Sequence, residues 1–303
     1  MVPLINYENN KSVVHWFNDI TSISNHPVSE ANQDTWRDYI LGSYEEDRSL
    51  NWFGVNNGIA GVRDAVELRG WEYGVKHGEK TLGVLPVPKL PSIKRRKTRG
   101  SSGSALDIHR VYSGDLSKAW ESTRREISLN KFSNKGHVNI IIDVGGNCGT
   151  SAESMFWRGA AGSLLTKALI ASGRNVRVIA VATVVGSVDT EYEKYQFNNL
   201  TTALVVKDFN QYLDLNSLFA CTAMAGFFRY YGFKSILSQK RKCLGNLGRA
   251  VTVNVDSLDY YMDGSTSILI ENIWSEYDAK QRISHLLSLV EQGKSLSHDQ
   301  EDA

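Results

Sequence analysis

The stretch NIIIDVGGNCGTSAESMFWRGAAGSLLTKALIASG, residues 139–173, constrains the fold of this 303-residue chain more than any other. A short aliphatic run ended by turn residues reads as a buried strand. Asp143 closes that run, and Gly145, Gly146 and Gly149 let the backbone turn sharply without a Cβ penalty. Thr150-Ser151-Ala152-Glu153 then matches a capping box, with Thr150 as the cap and Glu153 reaching back to it. A long amphipathic helix from about Ser151 to Ser172 is expected, with Phe156, Ala160, Leu164 and Leu165 in its core contacts. The strand NIIIDV is expected at the centre of a sheet, with that helix over one face.

The same alternation continues downstream. Apolar strands are predicted in NVRVIAVATVV, TALVVKDF, AVTVNVD and TSILIEN, with helices in LNSLFACTAMAGFFRYYGF and YDAKQRISHLLSLVEQ. Strands alternating with helices imply an α/β fold, here a mostly parallel sheet covered by helices on both faces. The first two of these strands, joined by a polar stretch, are predicted to pair antiparallel. The expected organisation is an N-terminal helical region over 1–79, a basic Pro/Gly/Ser-rich linker over 80–104, the α/β domain over 105–293 and an acidic mobile tail over 294–303. Within the first region, Trp16, Trp36, Trp52 and Trp71 read as core, and Val62, Val66, Leu68 and Trp71 mark a helical apolar face, with Leu68 at its edge. The tail's Asp299, Glu301 and Asp302 could compete for a basic loop or dock a partner.

The glycine turn fits no nucleotide motif. A P-loop needs a lysine at its end, and none follows until Lys167. A dinucleotide fingerprint needs G-x-G-x-x-G and an acid ending the next strand, whereas VIAVATVVGS has none before Asp189. The seven histidines are dispersed and form no metal-ligand spacing; they read as surface or incidental residues, with His109 beside Asp107 as the one to check. Cys148 is the one plausible nucleophile, at a helix N-terminus but with no identifiable base. The three cysteines form no C-x-x-C pair, which suggests a reduced compartment, and no secretory leader or membrane span is read. The expectation is a cytoplasmic, non-enzymatic protein with no cofactor and no membrane partner.

A strand ending in Asp, a polar turn, a capped helix and an antiparallel strand pair resemble the von Willebrand factor A fold, over about 138–290. That family holds a divalent cation with D-x-S-x-S. Asp143 is kept here, but Gly145 and Asn147 stand where the serines should be, so the resemblance implies a degenerate site and no metal. Gly70-Trp71-Glu72-Tyr73-Gly74, the glycine turn and WRGAAGSLL are also similar to a family of uncharacterised phage-encoded proteins. In outline the chain is similar to single-stranded-DNA-binding transcription cofactors of lytic podophages, which would place it in the host-cell cytoplasm.

Charge supplies the functional expectation. The chain's net charge is only +1, yet Lys89, Lys94, Arg95, Arg96, Lys97 and Arg99 fall in a stretch, 80–104, with no acidic residue. A second group, Lys234, Lys240, Arg241, Lys242 and Arg249, follows the aromatic run FFRYYGF, which contains Arg229, Tyr230 and Tyr231. Cations beside aromatic faces suit single-stranded nucleic acid, because phosphates meet charge and bases stack. The expected interface is Lys94, Arg95, Arg96, Lys97, Arg99, Arg229, Tyr230, Lys240, Arg241 and Lys242. A polymerase or another phage protein would be recruited through the complex. The rival expectation is an A-domain-like protein–protein adaptor, partnering an ATPase.

Overall fold

The computed structural model describes residues 4–7, 12–42, 49–83, 85, 94–126, 137–189, 194–238, 242–243, 249–253, 255, 258, 261–262 and 266–292. The chain divides into two compact units, one of residues 1–88 with 135–303 and one of residues 89–134.

The larger unit is a mixed α/β structure. Its strands are β1 (Leu4–Tyr7), β2 (Ser12–Phe17), β6 (His137–Asp143), β7 (Asn175–Asp189), β8 (Lys194–Lys207), β9 (Lys242–Cys243), β10 (Arg249–Val251) and β11 (Thr266–Ile270). They lie in the order β1-β2-β8-β7-β6-β11, with β9 and β10 also pairing with β7. Parallel ladders join β7, β6 and β11, so the aliphatic run at 138–142 sits between two partners and is buried throughout. The predicted antiparallel pair is β7 and β8, with register shifts near Val178 and Val184. β7 outruns β6, and β10 and β9 pair with its far half.

Two expectations are corrected here. The N-terminal segment contributes two strands to this sheet, β2 running parallel to β8, and residues 1–79 are no separate helical region. SVVHWF is a short apolar run between polar stretches, and pairing with β1 on one side and the distant β8 on the other makes it a strand of this sheet. The faces are also unequal. The described α-helices of this unit pack on the side of Val138, Ile140 and Ile142. The opposite side, with Ile141, Ile179 and Val181, is covered by the stretch between β10 and β11, through Val253, Leu258 and Met262, and by Tyr261 stacked 4.2 Å from Trp16. Among the described residues no α-helix contributes to that second core, although Leu258 lies in a 3-10 turn.

The helix Ala152–Ala171 is buried on fifteen of its 20 residues rather than along one stripe. The reason is in WRGAAGSLL: small residues admit neighbours on several sides at once. The helix Leu215–Thr222 comes so close that a Cβ on Gly159 would lie 2.0 Å from the Thr222 carbonyl oxygen. Ser163 and Thr222 share a buried hydroxyl hydrogen bond of 2.8 Å at the same crossing. The helix cap is Ser151, which accepts from the Ser154 amide at 3.0 Å, one residue later than the predicted Thr150. Trp16 is buried and Trp36, Trp52 and Trp71 are part-buried against the core, as expected, whereas Leu68 faces solvent.

His15 is no surface histidine. It is buried on β2, 3.0 Å from the Ser235 hydroxyl, which also accepts from Thr202 at 2.9 Å. Burial, with His26 beside it, lowers its pKa from 6.5 to about 4.

Two predictions follow from this packing. Gly159→Ala must push a Cβ into backbone and should lower stability by about 1–3 kcal/mol or more, read as a fall in the urea midpoint. Because the folded state holds His15 neutral, unfolding takes up a proton between about pH 6.5 and 4. Stability should therefore fall as pH drops through that window, by about 3 kcal/mol from this group. His15→Gln should flatten that part of the stability–pH curve.

Candidate nucleic-acid interface

At the carboxyl end of β6 the structure commits the aspartate that the sequence singled out. Asp143 Oδ1 accepts from the Gly145 amide at 2.8 Å, and Oδ2 accepts from Arg158 Nη1 at 2.6 Å. Arg158 also donates to the Gly145 carbonyl and lies 4.6 Å from the Trp274 ring centroid. Burial raises the Asp143 carboxyl above the usual range, with the guanidinium and the Gly145 amide opposing it. Asn147 accepts from the Ala250 amide at 3.1 Å, so its side-chain oxygen is also occupied. Among the described residues no group of three or more His, Cys, Asp or Glu is placed to hold a metal ion. Arg158 escaped the sequence reading; its signal was a lone charge inside the apolar run SMFWRGAAG.

Of the second basic group and its aromatic run, Arg229, Tyr230 and Lys234 are drawn into the fold. Arg229 is buried, 3.7 Å from the Trp52 ring centroid, and donates to the carbonyls of Trp52 and Thr150. Burial lowers its pKa to about 10. It braces the turn before the 152–171 helix, and its role in a solvent-facing interface is withdrawn. Tyr230 is half-buried, packed 5.4 Å from Trp36 and edge-on to Tyr231, which is wholly buried. Lys234 donates to the Ser24 carbonyl. Lys242 lies on β9 opposite Asp189, and Lys240 and Arg241 lie outside the described residues, as does the acidic tail. Cys148 is exposed and Cys221 buried.

The first basic group is folded differently from a linker. Lys94–Gly100 is strand β3, which pairs antiparallel with β5 (Trp120–Glu126); β4 (Ala105–Leu106) pairs on the other edge of β5. Proline and glycine flanks suggested an irregular loop, but the register with 120–126 makes a three-stranded sheet. That register sets Arg95 opposite Arg125 and Arg96 opposite Arg124. Like charges at directly opposed positions work against a ladder. Arg99 is balanced by Glu121 at 3.2 Å and, more loosely, Asp107 at 4.0 Å. Asp107 caps the helix Ile108–Tyr112 through the Arg110 amide, and His109 is exposed.

The unit of residues 89–134 has eleven Lys or Arg against four Asp or Glu, a balance of +7. Since the whole chain is +1, the other residues carry −6. Across residues 99–121 only Ala119 is buried, and Leu106, Ile108, Tyr112, Leu116 and Trp120 are exposed. The basic charge and the exposed aromatics thus meet in one unit, at Tyr112 and Trp120 rather than at Tyr230.

Fold and charge define a mixed α/β-sheet protein carrying a small, strongly basic β unit. Residues 5–294 match the model of the family described as a domain of unknown function, DUF7192, and the chain belongs to that family. No curated protein and no solved structure matches it. No described helix is long and apolar enough to cross a membrane.

The buried pair makes a direct prediction. Arg158→Met strands Asp143 as an unpaired buried charge and should cost about 3–5 kcal/mol in chemical denaturation. Combining it with Asp143→Asn should recover part of that loss, because neither partner then leaves an uncompensated charge.

Proposed function

We propose that this protein is a non-enzymatic, sequence-tolerant binder of single-stranded nucleic acid, with residues 94–126 as the phosphate-gripping element. The observation that carries the reading is the arginine-on-arginine register of β3 and β5. A folded ribbon that opposes like charges gains from a polyanion along it, and phosphates supply one. The +7 balance of the unit against −6 elsewhere supports the same partner. The recruitment of a polymerase or another phage protein, in the host-cell cytoplasm, belongs to this proposal and rests on the resemblance alone.

The adaptor reading keeps one support. The order β6, helix 152–171, then the antiparallel β7–β8 pair is that of the A-domain resemblance. A metal-dependent form of it is disfavoured, since both oxygens of Asp143 are already engaged.

The test is a salt titration. Replacing Lys94, Arg95, Arg96 and Lys97 with glutamine should flatten the dependence of log affinity on log salt by about 2.8, at roughly 0.7 per phosphate contact. Circular dichroism should show the larger unit intact. A variant that binds like wild type at every salt concentration would make the adaptor reading the better one.

A further inference from the structure

Within the nucleic-acid reading, on which this inference rests, we propose that Trp120 and Tyr112 are base-stacking residues that make the basic unit selective for unpaired strands. Trp120 opens β5, the middle strand of the three, and its register partners are Gly100 on β3 and Leu106 on β4. A glycine opposite leaves one side of the indole without a cross-strand side chain. Trp120 is 36% exposed and Tyr112 is 88% exposed, although large aromatics are ordinarily well covered.

Leu106, Ile108 and Leu116, near them in the sequence, are exposed as well, and across residues 99–121 only Ala119 is buried. A protein partner with an apolar face would have to approach through a field of +7. An unpaired nucleic-acid strand satisfies both demands together: its phosphates meet the lysines and arginines, and its bases present flat apolar faces to the rings. A duplex keeps its bases stacked on one another and offers this surface only phosphate. The aromatic contact therefore discriminates between strand states, and the basic residues do not.

The experiment compares wild type, Trp120→Leu, Trp120→Phe and Tyr112→Leu against an oligothymidylate and a duplex of equal length, at several salt concentrations. Trp120→Leu should weaken oligothymidylate binding about tenfold without changing the salt slope, and leave duplex affinity unaltered. Tyr112→Leu should act in the same direction, and Trp120→Phe should restore most of the affinity, because a phenyl ring still stacks. Equal losses on both oligonucleotides, or leucine variants that bind the single strand like wild type, would overturn stacking while leaving the phosphate-binding reading in place. A wild type that binds neither oligonucleotide would overturn both. A loss that phenylalanine fails to restore would mean that Trp120 supports the fold of the unit, and it too would overturn the proposal.

Discussion

The ion pair of Asp143 and Arg158 is the interaction around which the larger unit is organised. It joins the end of the central strand, the turn at Gly145 and the first third of the 152–171 helix, and through Trp274 it reaches the segment after β11. Two charges removed from water need close geometry and further hydrogen bonds to offset desolvation. Here the fork supplies them, with Nη1 on the carboxylate and Nη2 on a carbonyl. The surrounding helix can then be buried on most sides, with Gly159 admitting its neighbour at backbone distance. The aspartate kept from the metal motif of the A-domain resemblance is thus a structural anchor.

Arg229 repeats the logic without a carboxylate. Two backbone carbonyls and the face of Trp52 take the place of a counter-ion, and the Thr150 carbonyl links it to the same turn. Buried arginines therefore hold both ends of the loop between β6 and its helix. Against this, the 89–134 unit obeys different physics. It has a single buried residue across 99–121, arginines in register with arginines, and several exposed apolar side chains. A ligand that bound only the folded form of so small a unit would raise its stability by mass action.

Much of the larger unit was legible in the sequence, because strands buried on both faces leave continuous aliphatic runs and long helices leave capped, small-residue patterns. β6, the 152–171 helix, β11 and the antiparallel β7–β8 pair were all read in that way. Long-range pairing was not legible. SVVHWF enters the large sheet through its pairing with β8, and KRRKTRG becomes a strand against 120–126; lysine and arginine carry little strand preference of their own. Nor did composition separate a solvent-facing arginine from a buried one, so Arg229 and Arg158 exchanged apparent importance. Tyr112 and Trp120 lay just beyond the basic run, and without the register nothing tied them to it.

The central claim is that residues 94–126 are the element that meets nucleic acid. Amide hydrogen exchange along the chain, with and without a single-stranded oligonucleotide at low salt, addresses it most directly. The account predicts that exchange slows in β3 and β5 on binding, and that the slowing disappears at high salt, while β6 and β7 stay protected in both states. Unchanged exchange across 94–126, with slowing confined to other strands or absent altogether despite measured binding, would contradict it.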